Sequence, residues 1–206
     1  MKIVLRFKKR GMKRFLSTLE SIKFVERALR RAEFPLIFTE GFHPKPKMSF
    51  LDAMPVGVVN LAFYVEVHVK SISIDYVENL KKNLPNDFFL ENVWIFDESI
   101  NKIVTSYRFK IITPHYIDLL SKEVEKKGKK LLFKENVEDF EVSRLRKYYI
   151  FRYTQRRERL INPFLLIEKA DFFLPICEEA LVEGGETLSN LLERRGIRVK
   201  KNSSCR

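Results

Sequence analysis

Four cations, Lys23, Arg27, Arg30 and Arg31, recur at spacings that place them on one arc of an α-helix. Arginine presents a planar fork that matches phosphate geometry, and several on one face can follow a nucleic-acid backbone. The competing reading is a solvated helix face on which Glu26 and Arg30 pair at i,i+4. The neighbouring Lys8-Lys9-Arg10 and Lys13-Arg14 tilt the balance toward a polyanion-binding surface. Just beyond lies EGFHPKPKMSF (40–50), which offers rings and cations together, the combination used to hold single-stranded RNA. Pro44 and Pro46 keep this loop extended and Gly41 permits a tight turn, so Lys45 and Lys47 are candidate phosphate contacts. Phe42 and Phe50 are expected to plug the core, making Phe42 a structural residue of the loop alongside Gly41, Pro44 and Pro46.

His43, one of three histidines, titrates in the range that suits acid–base work in RNA cleavage. No second acid–base group accompanies it in the sequence, so it is a candidate only and no catalytic residue is assigned. His68, in a strand, and His115, at a helix start, read as structural. Further on, Arg146, Tyr148, Ile150 and Arg152 alternate with Lys147, Tyr149, Phe151 and Tyr153. The second set is the more apolar and belongs in the core. The first then displays Arg146, Tyr148 and Arg152 on a sheet surface of the base-stacking kind. The Arg156–Arg159 run reads as a solvated turn.

The elements that must position these residues follow from periodicity. Residues 1–8 alternate apolar and basic side chains and read as a half-buried strand ended near Gly11. Residues 16–33 read as a helix, with Ser17 as N-cap, Glu20 completing a capping box, and a stripe of Leu19, Ile22, Val25, Leu29 and Ala32. Strands over 36–39, 61–69 and 88–96 and a helix over 75–83 complete the first half. In the second, 102–113, 130–133, 148–154 and 172–176 read as strands. Residues 114–127 read as a helix, Asn162-Pro163 starts another, and 186–195 form a last one after Gly184-Gly185. Each half then runs β-α-β-β-α-β. The expectation is an α+β fold of two ferredoxin-like halves, 1–100 and 101–206, with a short helical C-terminal tail.

Composition bounds the rest. The 206 residues carry a net charge of +12, with 13 Lys/Arg against 4 Asp/Glu in the first 50 residues, the asymmetry expected of a polyanion-binding surface. Lys/Glu enrichment and a single glutamine, Gln155, also give the chain a thermophile-like composition. Eighteen phenylalanines and seven tyrosines exclude a disordered chain. No apolar run reaches the ~18 residues of a membrane span and MKIVLRFKKRG lacks a signal-peptide core, so a cytoplasmic protein without a membrane partner is expected. Two cysteines and the absence of CxxC, HExxH, P-loop and GxGxxG motifs lead us to expect no metal and no cofactor.

The stretch from Arg6 to Phe50 resembles the radical SAM-linked proteins, a family of unknown function encoded beside or fused to cobalamin-binding radical S-adenosylmethionine proteins. Arg6-Phe7, Gly11, Arg14–Ser17, Leu19, Glu26–Ala32, Glu40–Phe42, Pro44, Pro46 and Ser49-Phe50 carry the resemblance, and Pro55–Gly57 and Tyr64–Glu66 continue it. The chain departs at His43-Pro44-Lys45-Pro46, where many members read Asn-Pro-His-Pro, and at Thr18-Leu19-Glu20, where His and Asp often follow the serine. The resemblance implies a radical SAM protein as partner. The first third is also similar to the start of CRISPR repeat-RNA-processing endoribonucleases, which stack two ferredoxin-like folds around a basic RNA groove. The expected function is that of a non-catalytic RNA-binding accessory protein working with a separate radical SAM enzyme. The alternatives are a metal-independent endoribonuclease using His43, with Arg27 or Arg31 steadying the phosphate, and a protein-docking adaptor whose basic helix meets an acidic surface.

Overall fold

The computed structural model describes residues 1–126, 128–167 and 172–200. The alternation at the N-terminus does make a strand, β1 (Lys2–Lys9), but an interior one. Ile3, Leu5 and Phe7 are fully buried on one face and Val4 on the other, so β1 is not the half-buried strand its pattern suggests. Its cations Lys2, Arg6 and Lys8 are held by carboxylates, and Lys9 by a carbonyl and a hydroxyl.

Gly11 follows at φ 51°, and a Cβ there would meet the Asp87 carboxylate at 2.2 Å, so any other residue would have to displace that carboxylate. The Asp87 carboxylate in turn accepts from the Met12 N–H at 3.1 Å. Helix α1 (Thr18–Arg31) begins at Ser17 with the full capping box: Ser17 Oγ accepts from the Glu20 N–H (3.2 Å) and Glu20 Oε2 from the Ser17 N–H (2.7 Å). Its buried face is Ser21, Val25, Ala28 and Leu29. Leu19 is therefore not part of the stripe: at 70% exposure it points to solvent, because Ser21 and Ala28 rotate the buried arc away from it.

The first half continues with β2 (Met48–Phe50), β3 (Val59–His68), α2 (Ile74–Lys82) and β4 (Phe88–Ile95). The strands lie in the order β4-β1-β3, with β2 on the far side of β3, every pair antiparallel. The expected strand at 36–39 is reduced to two isolated bridges, Leu36 with Val69 and Phe38 with Pro46. Helices α1 and α2 cover one face, burying Val25, Leu29, Val77 and Leu80 against Phe7, Phe63, Val65 and Phe88.

The second half departs from its expected element order. After α3 (Ile100–Ile103) and β5 (Val104–Thr113), the helix anticipated over 114–127 is absent among the described residues, 127 lying outside them. Its apolar residues do not form a helical stripe; Leu119 is buried from a turn and Val124 from the hairpin β6 (Glu123–Lys126) and β7 (Lys129–Leu132), after which Phe133 is buried from a 3₁₀ turn. Asn162-Pro163 caps a single 3₁₀ turn, Pro163–Leu165, and propagates no further. A strand unread in the sequence, β8 (Glu138–Leu145), pairs with β9 (Tyr148–Arg156), and β10 (Leu174–Val182) precedes α4 (Leu188–Arg195) and the short β11 (Ile197–Arg198).

All but the β6–β7 hairpin join one nine-stranded sheet, ordered β11-β4-β1-β3-β10-β5-β9-β8 with β2 beside β3. The sheet is mixed, since β10 runs parallel to β3 and antiparallel to β5. The face away from α1 joins Val4, Tyr64 and Trp94 to Tyr107, Phe109, Phe151, Tyr153 and the α4 residues Leu188 and Leu192 in a second core. The architecture is α+β, with four α-helices among the described residues on a large mixed sheet. None of the helices among the described residues is long and apolar enough to cross a membrane.

Candidate nucleic-acid interface

Helix α1 turns Lys23, Arg27, Arg30 and Arg31 outward, and all four are exposed. Among the described residues Lys23, Arg27 and Arg31 form no ion pair, which leaves three cations free for a polyanion. Arg30 is held: its Nη2 lies 2.9 Å from Glu26 Oε1, and its guanidinium sits 5.0 Å from the centroid of the Phe38 ring. That ring contact ties the helix to the loop that follows.

The loop is rigid by construction. Phe38 bridges to Pro46, Thr39 N–H donates to the Lys45 carbonyl at 2.7 Å, and Lys45 N–H donates back to Thr39 Oγ1 at 3.0 Å. Lys47 N–H closes the base by donating to the Ile37 carbonyl (2.7 Å), and Pro46 is buried as its anchor. The tip, Glu40–Pro44, stands in solvent with Lys45 and Lys47 exposed beside it. Phe42 is not a core residue. It is 94% exposed and touches only the edge of His43, with ring centroids 4.8 Å apart. Phe50 is half-buried and packs on Phe63. Gly41 has φ 119° and nothing within 4 Å of a Cβ, so the turn needs its conformational freedom and not its small size.

The structure joins the helix and loop sets at Arg30 and Phe38, with Lys23, Arg27 and Arg31 exposed along the helix and Phe42, Lys45 and Lys47 exposed on the loop. It does not bring Arg146, Tyr148 and Arg152 to them. Strand β9 lies three strands from β3, a distance of about 14 Å at ordinary strand spacing. Arg146 is not on the strand but in the two-residue turn before it, at φ 54°. Tyr148 packs on Phe172 under the Lys147 ammonium, and Arg152 lies 3.9 Å from Glu178. His43 makes no hydrogen bond or ion pair among the described residues, so nothing orients it for proton transfer.

The basic run before α1 is spent on the fold. Lys8 pairs with Glu91, Arg10 covers the Phe89 ring at 4.8 Å, and Lys9 is buried. Arg6 reaches Glu91 (3.1 Å) and Glu179 (2.7 Å), and Lys2 reaches Glu66 at 3.3 Å. Glu179 is buried and saturated: it also accepts from Tyr64 Oη (2.7 Å) and Ser189 Oγ (2.8 Å). Burial first, and the Glu179 charge second, push the Tyr64 hydroxyl well above its ordinary pKa. On the same side, Asp52 accepts from Tyr107 Oη at 2.7 Å and pairs with Arg157, which donates on to Asn101 Oδ1 (2.8 Å). Arg157 is thus drawn inward out of the turn expected to be solvated. A signal for these networks was present in the sequence: Glu66 and Glu179 each interrupt an apolar strand, where a lone carboxylate must find a cation or donors.

Glu66, Glu179 and Asp52 each accept from donors within the protein, whereas, of the described residues, Glu91 Oε2 is buried beside Arg6 without a hydrogen bond. Among the described residues no group of three His, Cys, Asp or Glu side chains is placed to hold a metal ion. A cavity of about 230 Å³ lies on the face of the sheet away from α1, lined by Met54, Phe109, Val124, Ile161, Pro163 and Leu165 and four neighbours, none of them titratable. It has no group that could take part in acid–base chemistry. A family profile described as an uncharacterized protein conserved in bacteria, DUF2344, matches residues 2–164. No curated protein matches the chain.

Proposed function

We propose, for a chain that belongs to the DUF2344 family of uncharacterized proteins conserved in bacteria, that it binds RNA through α1 and the loop after it and acts as a non-catalytic accessory protein. The observation that carries this reading is the join at Arg30 and Phe38. It sets a cationic arc, of which Lys23, Arg27 and Arg31 form no ion pair among the described residues, beside a hydrogen-bonded loop whose tip offers an almost fully exposed ring. The cations suit phosphates and the ring suits an unstacked base, so a single strand fits the surface better than a duplex. The partner in this reading is a separate radical SAM enzyme, which rests on the resemblance of Arg6–Phe50 alone.

Reversing charge at Arg27 and Arg31 tests it. Both side chains leave the buried face of α1 untouched, so the fold is expected to persist. Single-stranded RNA is expected to bind the double variant more weakly, with a log–log salt slope shallower by about 0.7 for each phosphate the variant no longer neutralises. Parent-like affinity and slope would dismiss the surface. RNA cleaved by the parent in EDTA, but not by His43→Ala, would favour a ribonuclease. Absence of salt-dependent RNA binding by the parent would favour a protein-docking adaptor.

A further inference from the structure

Strand β8 ends the sheet, and among the described residues nothing pairs with its outer edge. Its side chains are almost all in solvent, including Val142 at 43% and Leu145 at 63% exposure. The ladder to β9 determines which backbone groups are free. The two-residue turn Arg146-Lys147 makes Leu145 and Tyr148 the closing hydrogen-bonded pair, and such pairs alternate along an antiparallel ladder. Leu145, Ser143 and Glu141 therefore direct their N–H and C=O groups to β9. Arg144, Val142 and Phe140 direct theirs outward.

The edge is also polarised in charge. Glu138, Asp139 and Glu141 lie toward its start, while Arg144, Arg146 and Lys147 lie toward its end and turn. A second copy laid antiparallel sets acidic start against basic end twice over, whereas a parallel copy opposes like charges. We infer that β8 pairs antiparallel with β8 of a second copy of this chain, continuing the sheet across a two-fold axis at Val142.

The register follows from two constraints. With the axis normal to the sheet, opposed residues must lie on the same face, so the sum of their numbers is even. The outward groups must also face one another. Centring on Val142 opposes the two Val142 side chains, sets Phe140 against Arg144 of the second copy, and sets Glu141 against Ser143 of the second copy. Centring on Glu141 instead would oppose two carboxylates. Centring on Ser143 would set Glu141 against Leu145. At the other end the positive φ of Asp139, 51°, and the bulge between Glu138 and Glu141 stop the ladder. About five residues from each copy thus take part, fewer than an obligate dimer uses, and the association is expected to be reversible at micromolar concentration.

Sedimentation velocity of the RNA-free protein from low to high micromolar concentration tests the inference. The parent is expected to show a concentration-dependent monomer–dimer equilibrium that weakens in high salt. Val142→Pro removes an outward N–H that β9 does not use, and is expected to raise the dimer Kd by roughly tenfold or more. Glu138→Lys/Glu141→Lys makes the start of the strand net basic like its end, and Arg144→Glu/Arg146→Glu makes the end net acidic like its start. Each alone is expected to stay monomeric, and their mixture to form a heterodimer. Circular dichroism checks that each variant is folded. A parent that remains monomeric throughout, dimers indifferent to Val142→Pro, or a mixture that does not associate would each overturn the pairing. None of these outcomes touches the RNA-binding proposal.

Discussion

Lys9 and Phe42 occupy environments opposite to those their side chains ordinarily seek. Lys9 is 2% exposed, and its ammonium donates to the Leu16 carbonyl at 3.0 Å and to Ser21 Oγ at 3.3 Å. Burial lowers its pKa, and the Glu20 charge opposes part of that effect. With a folded pKa below the unfolded one, the unfolded chain holds more protons between the two values, so stability rises with pH across that window. Chemical denaturation should show the parent gaining stability relative to Lys9→Met between neutral pH and the ordinary lysine value of 10.5. A pH-independent difference would mean that the ammonium is not desolvated. Phe42 presents the reverse case, an apolar ring left in water. Phe42→Ala is expected to leave the melting temperature unchanged while weakening binding of single-stranded RNA by about 1–3 kcal/mol, the range for one stacked base. Calorimetry and fluorescence anisotropy read the two effects separately, and a lowered melting temperature with intact binding would return the ring to a structural role.

Among the elements, α1 was legible because its signals are local. Ser17 and Glu20 mark its start, and the structure has both bonds of the capping box. Ser17→Ala is expected to cost about 1 kcal/mol in denaturant unfolding, and a value near zero would mean that packing alone fixes the helix start. What local signals could not give was the rotation of the buried arc. Leu19 matched the stripe, but the face is set by Ser21 and Ala28, small residues that let the helix lie close to the sheet. The helix read over 114–127 failed for a related reason. Its apolar residues are consumed singly by the underside of β5 and β9, and tertiary burial overrides a period that only sequence spacing suggested. β8 carries only a weak signal, since seven of its eight residues are exposed and its apolar alternation is limited to Phe140 and Val142. Of the candidate site, the helix cations and Lys45 and Lys47 were legible as surface. The exposure of Phe42 was not, because the ring's type argues for burial and only the bonds between Thr39 and Lys45 hold it out.

For the whole molecule, the decisive fact is that one sheet is shared by strands from both halves of the chain. Residues 1–100 supply β4, β1, β3 and β2, but the face bearing Val4, Tyr64 and Trp94 is covered by residues after 100, α4 among them. A polypeptide ending at residue 100 is therefore expected to lack native near-ultraviolet dichroism and to expose apolar surface to a hydrophobic dye. A fragment with a dispersed, native-like amide spectrum would contradict this. The same topology sets a timetable for synthesis. β10 is inserted between β3 and β5, yet it occupies residues 174–182, late in the order in which the ribosome delivers the sheet. Until it emerges, β3 and β5 each present an open edge on the nascent chain, and either can be captured by a wrong strand of its own or another polypeptide. The vulnerable interval in the life of this protein is thus the wait between the emergence of β5 and that of Val182, and a translational delay placed within it is predicted to send more product to aggregates than one placed after it.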